Sequence, residues 1–183
     1  MTVTVRPDEF RMVLFDPDLI LDAVSQVVGQ IGIEDDVVVD IDEAFPTTVA
    51  TVAGLGPIRL AVQGGAFEDT RYPRTVSLTQ VADVAGRLLF EARDRLDPDF
   101  GAPPLDEDLP LHHRAAWDTH CAGRVARLGH KPMRQRRLYH FRNRHSFTDV
   151  ADASFERLWA SQGLSWAAIV DLSDRAHRIR APL

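Results

Sequence analysis

Apolar residues recur at helical spacing in several segments of the chain, and glycine or proline separates these segments. The first stripe consists of Ile20, Val24, Val27, Val28 and Ile31. Before it, Asp16 is typical of a helix N-cap and Pro17 of a first helical position, and Gly32 after it is typical of a helix end. The pattern therefore predicts a helix between Pro17 and Gly32.

Three segments with strand character follow, at residues 37–41, 47–53 and 58–62. They are rich in β-branched residues, which favour a pleated and half-buried surface. Residues 54–57, Gly-Leu-Gly-Pro, have the composition of a tight turn, so the last two segments are predicted to form a hairpin. Val3 and Val5 alternate with polar residues and indicate a further strand at the N-terminus.

A second long stripe predicts a helix over residues 78–96 that lies across the sheet. It contains Leu78, Val81, Ala85, Leu88, Ala92 and Leu96. Ser77 and Gln80 have the spacing of a capping box at its start. Together these elements predict an α+β fold, in which a small, mainly antiparallel sheet of three or four strands packs against two helices and a mostly helical C-terminal part follows.

Residues 97–110 break the periodic pattern with four prolines, one glycine and several acids. The sequence therefore predicts an acidic α+β part at 1–96, an exposed Pro-rich acidic connector at 97–110 and a basic helical part at 111–183. The two parts are expected to dock as one compact body. In the last part, helices are predicted up to Gly129, over 149–162 and after Ser165, and residues 132–147 fit either a helix or an extended segment.

The composition excludes several classes of protein. The chain has 183 residues, 45% of them hydrophobic and 26% charged, which is unlike a disordered tail, a collagen-like fibre or a disulfide scaffold. No apolar run approaches the length of a membrane span, and residues 1–10 lack the layout of a signal peptide. The single cysteine, Cys121, fits a reducing compartment, so we expect a soluble, cytoplasmic protein.

The net charge of −6 is the sum of two unequal halves. Residues 1–110 carry 8 basic and 21 acidic groups, whereas residues 111–183 carry 13 basic and 6 acidic groups. This asymmetry indicates either ion pairing between the two parts or a C-terminal part that faces a polyanion.

The segment 130–145, HKPMRQRRLYHFRNRH, is the most basic stretch of the chain and contains no acid. Arginine forks suit phosphate oxygens, and aromatic faces stack on bases. The sequence therefore favours a non-enzymatic binding or regulatory protein that contacts an anionic partner, either nucleic acid, a nucleotide or an acidic protein surface. The predicted contact residues are Arg134, Arg136, Arg137, Tyr139, Phe141, Arg142 and Arg144. The alternative is that these cations dock against the acidic N-terminal part through ion pairs and that Tyr139 and Phe141 are core.

Six of the seven histidines fall between positions 112 and 145, which raises a second alternative, a metal-assisted hydrolase that uses zinc. Its predicted ligands are His113, His120, His130, His140 and His145. These residues lack the short helical spacing of a two-ligand zinc arm, so such a site requires the chain to fold them together.

Other chemistry has little support in the sequence. The chain contains no HExxH, GxSxG or P-loop motif, and Cys121 falls on an apolar stripe, where a buried and inert thiol is the usual outcome. No catalytic residue is predicted, and the sequence favours a protein that is not an enzyme. No cofactor is predicted either, except zinc in the alternative of a metal-assisted hydrolase. A third alternative is a protein–protein module that binds its partner through exposed apolar residues such as Trp159 and Trp166.

Overall fold

The computed structural model describes residues 1–177. The strands in that range are β1 (Val3–Arg6), β2 (Val37–Asp42), β3 (Ala50–Leu55) and β4 (Ile58–Gln63). The helices are α1 (Pro17–Ile31), α2 (Leu78–Leu96), α3 (Leu111–Arg127), α4 (Arg134–Arg144), α5 (Asp149–Ala160) and α6 (Trp166–His177). The α+β fold class, with four strands followed by a helical C-terminal part, is thereby confirmed.

The sheet is mixed, which corrects the expectation of mainly antiparallel pairing. Its strand order is β1-β2-β4-β3, and only the β3–β4 hairpin is antiparallel, while β1–β2 and β2–β4 are parallel. Helix α1 connects β1 to β2 and returns the chain so that the second strand runs beside the first in the same direction. The sequence predicts the hairpin because its turn is formed by neighbouring residues. The parallel pairs could not be predicted in this way, because they join segments that are distant in the sequence.

Helix α1 has the ends that its sequence predicts. The Asp16 side chain accepts a hydrogen bond from the backbone N–H of Asp18 at 3.0 Å, and Gly32 adopts a left-handed conformation with φ 77°. The stripe from Ile20 to Ile31 is buried, as are the inward-facing residues of β2 and β4. These apolar residues form the core of the N-terminal part.

The chain divides into two compact units, an N-terminal unit, Met1–Arg93, and a C-terminal unit, Asp94–Leu183. The boundary falls inside α2, whose start is capped as predicted by the Ser77 hydroxyl, 3.4 Å from the backbone N–H of Gln80. The docking of the two predicted parts stays a prediction.

Residues 97–110 are less exposed than the sequence indicated. Phe100 and Leu109 are buried, and the Asp106 carboxylate pairs with Arg95 at 2.7 Å and with Arg114 at 3.1 Å. The Phe100 carbonyl also accepts a hydrogen bond from the backbone N–H of Trp166 at 2.7 Å. This segment therefore packs into the C-terminal unit, because its few apolar and acidic side chains find partners on α3 and around the start of α6.

Helices α3, α5 and α6 pack against one another in the C-terminal unit, and α4 packs on α3 and α5. Segment 132–147, which fitted either helix or extended structure, contains α4. Among residues 1–177, no helix combines the length and the apolar character that crossing a bilayer requires.

Candidate functional site

Residues 134–144 of the basic segment form helix α4, and Phe141 is the one buried side chain of that helix. Phe141 is 1% exposed and stacks on the His145 ring at a centroid distance of 3.8 Å. It also meets Phe155 of α5 edge to face at 5.7 Å. Phe141 therefore anchors α4, and the prediction that it stacks on a ligand is wrong, because a side chain buried on this scale has no face left for a base.

Three of the predicted arginines are held by acids of neighbouring helices. Arg137 donates to Asp118 of α3 at 2.7 Å, and Arg134 pairs with Glu156 of α5. The Arg134 guanidinium also lies over the rings of Phe155 and Trp159. Asp118 and Glu156 lie in the C-terminal unit, so these arginines are paired within that unit, and the predicted docking against the acidic N-terminal part stays a prediction.

Arg142 forms the third of these pairs, with Asp152 of α5. Its Nε donates to one carboxylate oxygen at 2.7 Å, and Nη2 donates to the other. The hydrogen bonds from Arg142 lower the pKa of Asp152, and the same contact raises the pKa of Arg142. Both side chains stay charged at neutral pH and satisfy each other.

The opposite side of α4 carries exposed side chains at helical spacing. This outer face consists of Arg136, Tyr139, His140, Asn143 and Arg144, together with Phe147 just beyond the helix. Tyr139 is 59% exposed and Phe147 is 64% exposed, and their rings meet edge to face at 6.2 Å. The outer face therefore combines two guanidinium groups with two accessible aromatic rings.

The positive charge of the outer face comes from its arginines rather than from its histidine. Among residues 1–177, neither Arg136 nor Arg144 has an ion-pair partner, and Lys131 in the preceding loop is likewise exposed. Burial and the charges of Arg136 and Arg137 lower the pKa of His140, which favours the neutral form of its ring. The outer face thus presents two exposed arginines, and Lys131 adds a third exposed cation nearby in the sequence.

The charge balance of the two units is less extreme than that of the two sequence halves. The N-terminal unit contains 7 basic and 15 acidic residues, and the C-terminal unit contains 14 basic and 12 acidic residues. The acidic segment before α3 belongs to the C-terminal unit and reduces its net charge to +2. Attraction of an anion to this unit would therefore be local to the outer face of α4.

The histidines predicted as zinc ligands lie in different surroundings. His120 is fully buried, and its Nδ1 donates to the Leu158 carbonyl at 3.1 Å. Burial, together with the charge of Arg124, lowers the pKa of His120 to about 4. This side chain is a neutral core residue that helps to join α3 to α5.

His145 is also neutral and buried. Its ring nitrogens lie 2.9 Å from the Phe141 carbonyl and 2.8 Å from the Ser173 hydroxyl. Because the carbonyl accepts only, Nδ1 donates to it and Nε2 accepts from the serine. Burial lowers the pKa of His145 to about 4. Both nitrogens are thus engaged in fixing the end of α4 against α6.

A different set of side chains converges between the start of α3 and α6. The Asp174 carboxylate lies 2.8 Å from His113 Nε2 and 3.5 Å from His112 Nε2. The His112 ring stacks on His177 at 4.4 Å, with an angle of 9° between the planes. We call His112, His113, Asp174 and His177 the histidine cluster. Of the five predicted ligands, only His113 belongs to it, and the His145 ring lies 6.1 Å from that of His112.

The sequence contains a local signal for part of this cluster. Asp174 and His177 are three residues apart on α6, so they occupy one face of a helix, and the pair His112–His113 opens α3. The link between α3 and α6 spans 61 residues, and only the fold brings its two ends together.

A buried polar network joins the end of α2 to α3. Arg124 donates to both Asp94 oxygens, and Trp117 Nε1 donates to the same carboxylate at 2.8 Å. Arg124 also donates to Cys121 Sγ at 3.2 Å, and Cys121 is 2% exposed. Cys121 is therefore a buried side chain, as its place on the apolar stripe indicated.

The two tryptophans proposed as a protein-binding surface are half-buried and packed within the unit. Trp159 stacks on Phe155, and Trp166 contacts Phe100 and Trp117. The expectation that Trp159 and Trp166 are exposed is therefore wrong, because neighbouring aromatic rings cover them.

Comparison of the chain with protein-family models, curated proteins and solved structures finds no significant match.

Proposed function

We propose that this chain is a binding protein that holds a polyanion, namely single-stranded nucleic acid, on the outer face of α4. The observation that carries the proposal is the division of the basic segment into two classes. Arg134, Arg137 and Arg142 are matched by acids, whereas Arg136 and Arg144 are exposed beside the accessible rings of Tyr139 and Phe147.

The chemistry of the outer face favours single-stranded nucleic acid over the other anions that the sequence allowed. Guanidinium groups bind phosphate oxygens in a bidentate manner, and exposed aromatic rings stack on unpaired bases. On the outer face, Arg136 and Arg144 would supply the phosphate contacts, and the exposed rings of Tyr139 and Phe147 would supply the stacking surfaces. The cytoplasmic location predicted from the single cysteine gives access to such a ligand.

The metal-assisted hydrolase has less support. It requires His113, His120, His130, His140 and His145 to meet, and the one group of three or more potential ligand residues found among residues 1–177 contains only His113 of these. A protein-binding module based on Trp159 and Trp166 has less exposed surface than the sequence indicated, because both side chains are half-buried. The proposal therefore keeps the anion-binding function and assigns it to fewer residues.

Replacing Arg136 and Arg144 by alanine together should weaken binding of a fluorescently labelled oligothymidylate at least tenfold. The physical reason is the loss of the two exposed phosphate contacts, each of which also releases a counterion. Fluorescence anisotropy at low salt measures the change. A matched control is the double variant Arg134→Ala with Arg142→Ala, which removes the same charge but only from internally paired residues and should bind within about twofold of the parent.

Equal weakening by both double variants would mean that the protein responds only to its overall charge, and would contradict a site on the outer face.

A further double variant tests whether the bound anion contains bases. Tyr139→Ala with Phe147→Ala should lose a further stacking contribution of about 1–3 kcal/mol per base without changing the dependence on salt. Unchanged affinity of that variant would point to an anion without bases instead.

A further inference from the structure

The histidine cluster brings together donor atoms of two helices that are distant in sequence. His112, His113 and Asp174 each offer a ligand atom, and these three atoms all lie within 4.8 Å of one another. All three side chains are half-buried, so an ion from solvent can reach them while the surrounding helices hold them in place. This is the one such group of three found among residues 1–177.

The spacing of the three donor atoms is close to that of a metal site. With metal–ligand bonds of about 2.1 Å, two ligands of a tetrahedral ion lie about 3.4 Å apart. The separation of His112 Nε2 from the Asp174 oxygen is 3.5 Å, and that of His113 Nε2 is 2.8 Å. An ion would therefore replace the proton that His113 shares with Asp174, and small rotations of the side chains would complete the geometry.

The ligand types indicate the class of metal. Two imidazoles with one carboxylate suit zinc and neighbouring transition-metal ions, whereas calcium and magnesium prefer oxygen ligands. His177 stacks face to face on His112, and its Nδ1 donates to the Arg144 carbonyl at 3.3 Å. It therefore supports the ring of His112 and leaves a three-ligand set with a free coordination position.

We infer that His112, His113 and Asp174 form a binding site for one divalent transition-metal ion that clips the start of α3 to α6. The site is separate from the outer face of α4 and uses only one residue of the zinc set predicted from the sequence. Its three protein ligands leave room for a water molecule or another small ligand on the ion, as in open zinc sites.

Titration of the full chain with zinc in a calorimeter tests the site. We expect one ion per chain, and at least tenfold weaker binding in His113→Ala and in Asp174→Asn. Asp174→Asn preserves the size of the side chain and the hydrogen bond acceptor, so it separates loss of the ligand charge from loss of the fold. Melting curves recorded in the presence of a chelator establish that each variant is folded before its affinity is compared.

His130→Ala is the matched control, because it removes a histidine of the sequence-predicted set that lies outside the cluster, and its zinc affinity should equal that of the parent. Cobalt provides a second readout. Its visible absorption should show a nitrogen and oxygen ligand field without thiolate bands, since Cys121 is buried elsewhere. Zinc binding that persists in both cluster variants, or that is lost in His130→Ala, would overturn the inference, as would stoichiometric binding of magnesium in preference to zinc.

Discussion

Substituting Asp94 by alanine should lower the free energy of unfolding of the C-terminal unit by about 3–5 kcal/mol. Asp94 is 5% exposed and accepts hydrogen bonds from Arg124 and Trp117. Without the carboxylate, the buried guanidinium of Arg124 retains its charge but loses its counter-ion, and the Trp117 indole N–H loses its acceptor. An uncompensated charge in the interior is among the most destabilising changes that a protein can suffer.

Urea unfolding followed by tryptophan fluorescence measures this effect within one unit, because Trp117, Trp159 and Trp166 all belong to the C-terminal unit. A matched control is Asp171→Ala, which breaks an exposed pair with Arg175 and should change the free energy by no more than about 0.5 kcal/mol. A loss below about 1 kcal/mol for Asp94→Ala would contradict the structural role of the network.

The double variant Asp94→Leu with Arg124→Met removes both charges together. It should recover a large part of the stability lost in Asp94→Ala, because an apolar pair of similar volume often replaces a buried ion pair without net cost. If the double variant is less stable than Asp94→Ala, the loss arises from packing rather than from the unpaired charge.

Replacing Gly123 by alanine is the second change with a large expected effect, a destabilisation of about 3 kcal/mol or more. Gly123 lies in α3 where the helix crosses α5, and a Cβ atom there would lie 2.1 Å from the carbonyl oxygen of Trp159. That carbonyl also accepts a hydrogen bond from Arg127 at 2.6 Å. Because the obstructing atom is backbone, relief requires the two helices to move apart.

Gly163→Ala is the control for Gly123→Ala, measured by the same tryptophan signal. Gly163 lies in the same unit with open space around its Cβ position and without a positive φ, so alanine there should be neutral or stabilising by up to about 1 kcal/mol. A Gly123→Ala protein as stable as the parent would show that α3 and α5 do not approach this closely.

Local signals predicted most of the secondary structure. Asp16, Pro17 and Gly32 defined α1, the Gly-Pro turn defined the β3–β4 hairpin, and Ser77 defined the start of α2, because each acts within a few residues. The parallel pairing of β2 with β4 could not be predicted from the sequence, since it depends on which distant strands become neighbours. The prolines and acids of segment 97–110 predict an exposed connector, whereas Phe100 and Leu109 are buried. Composition alone does not show which distant residues these two side chains contact.

The candidate sites were predictable only in part, for the same reason. The basic segment was evident from its composition, but which arginines have acid partners depends on Asp118, Asp152 and Glu156, which only the packing of α3 and α5 brings close. The histidine count indicated the part of the chain that contains His112 and His113. It did not identify Asp174, whose approach to His112 and His113 follows from the packing of α6 on α3.

The salt dependence of binding to a single-stranded oligonucleotide tests the central claim most directly, because it counts the phosphates that the protein neutralises. For single strands the slope of log Kobs against log salt is about −0.7 per phosphate. The three exposed cations Lys131, Arg136 and Arg144 predict a slope of about −2. A slope of about −4 would mean that all six cations of the segment bind phosphate, and a slope near zero would mean that the outer face of α4 binds none; either result would contradict the account.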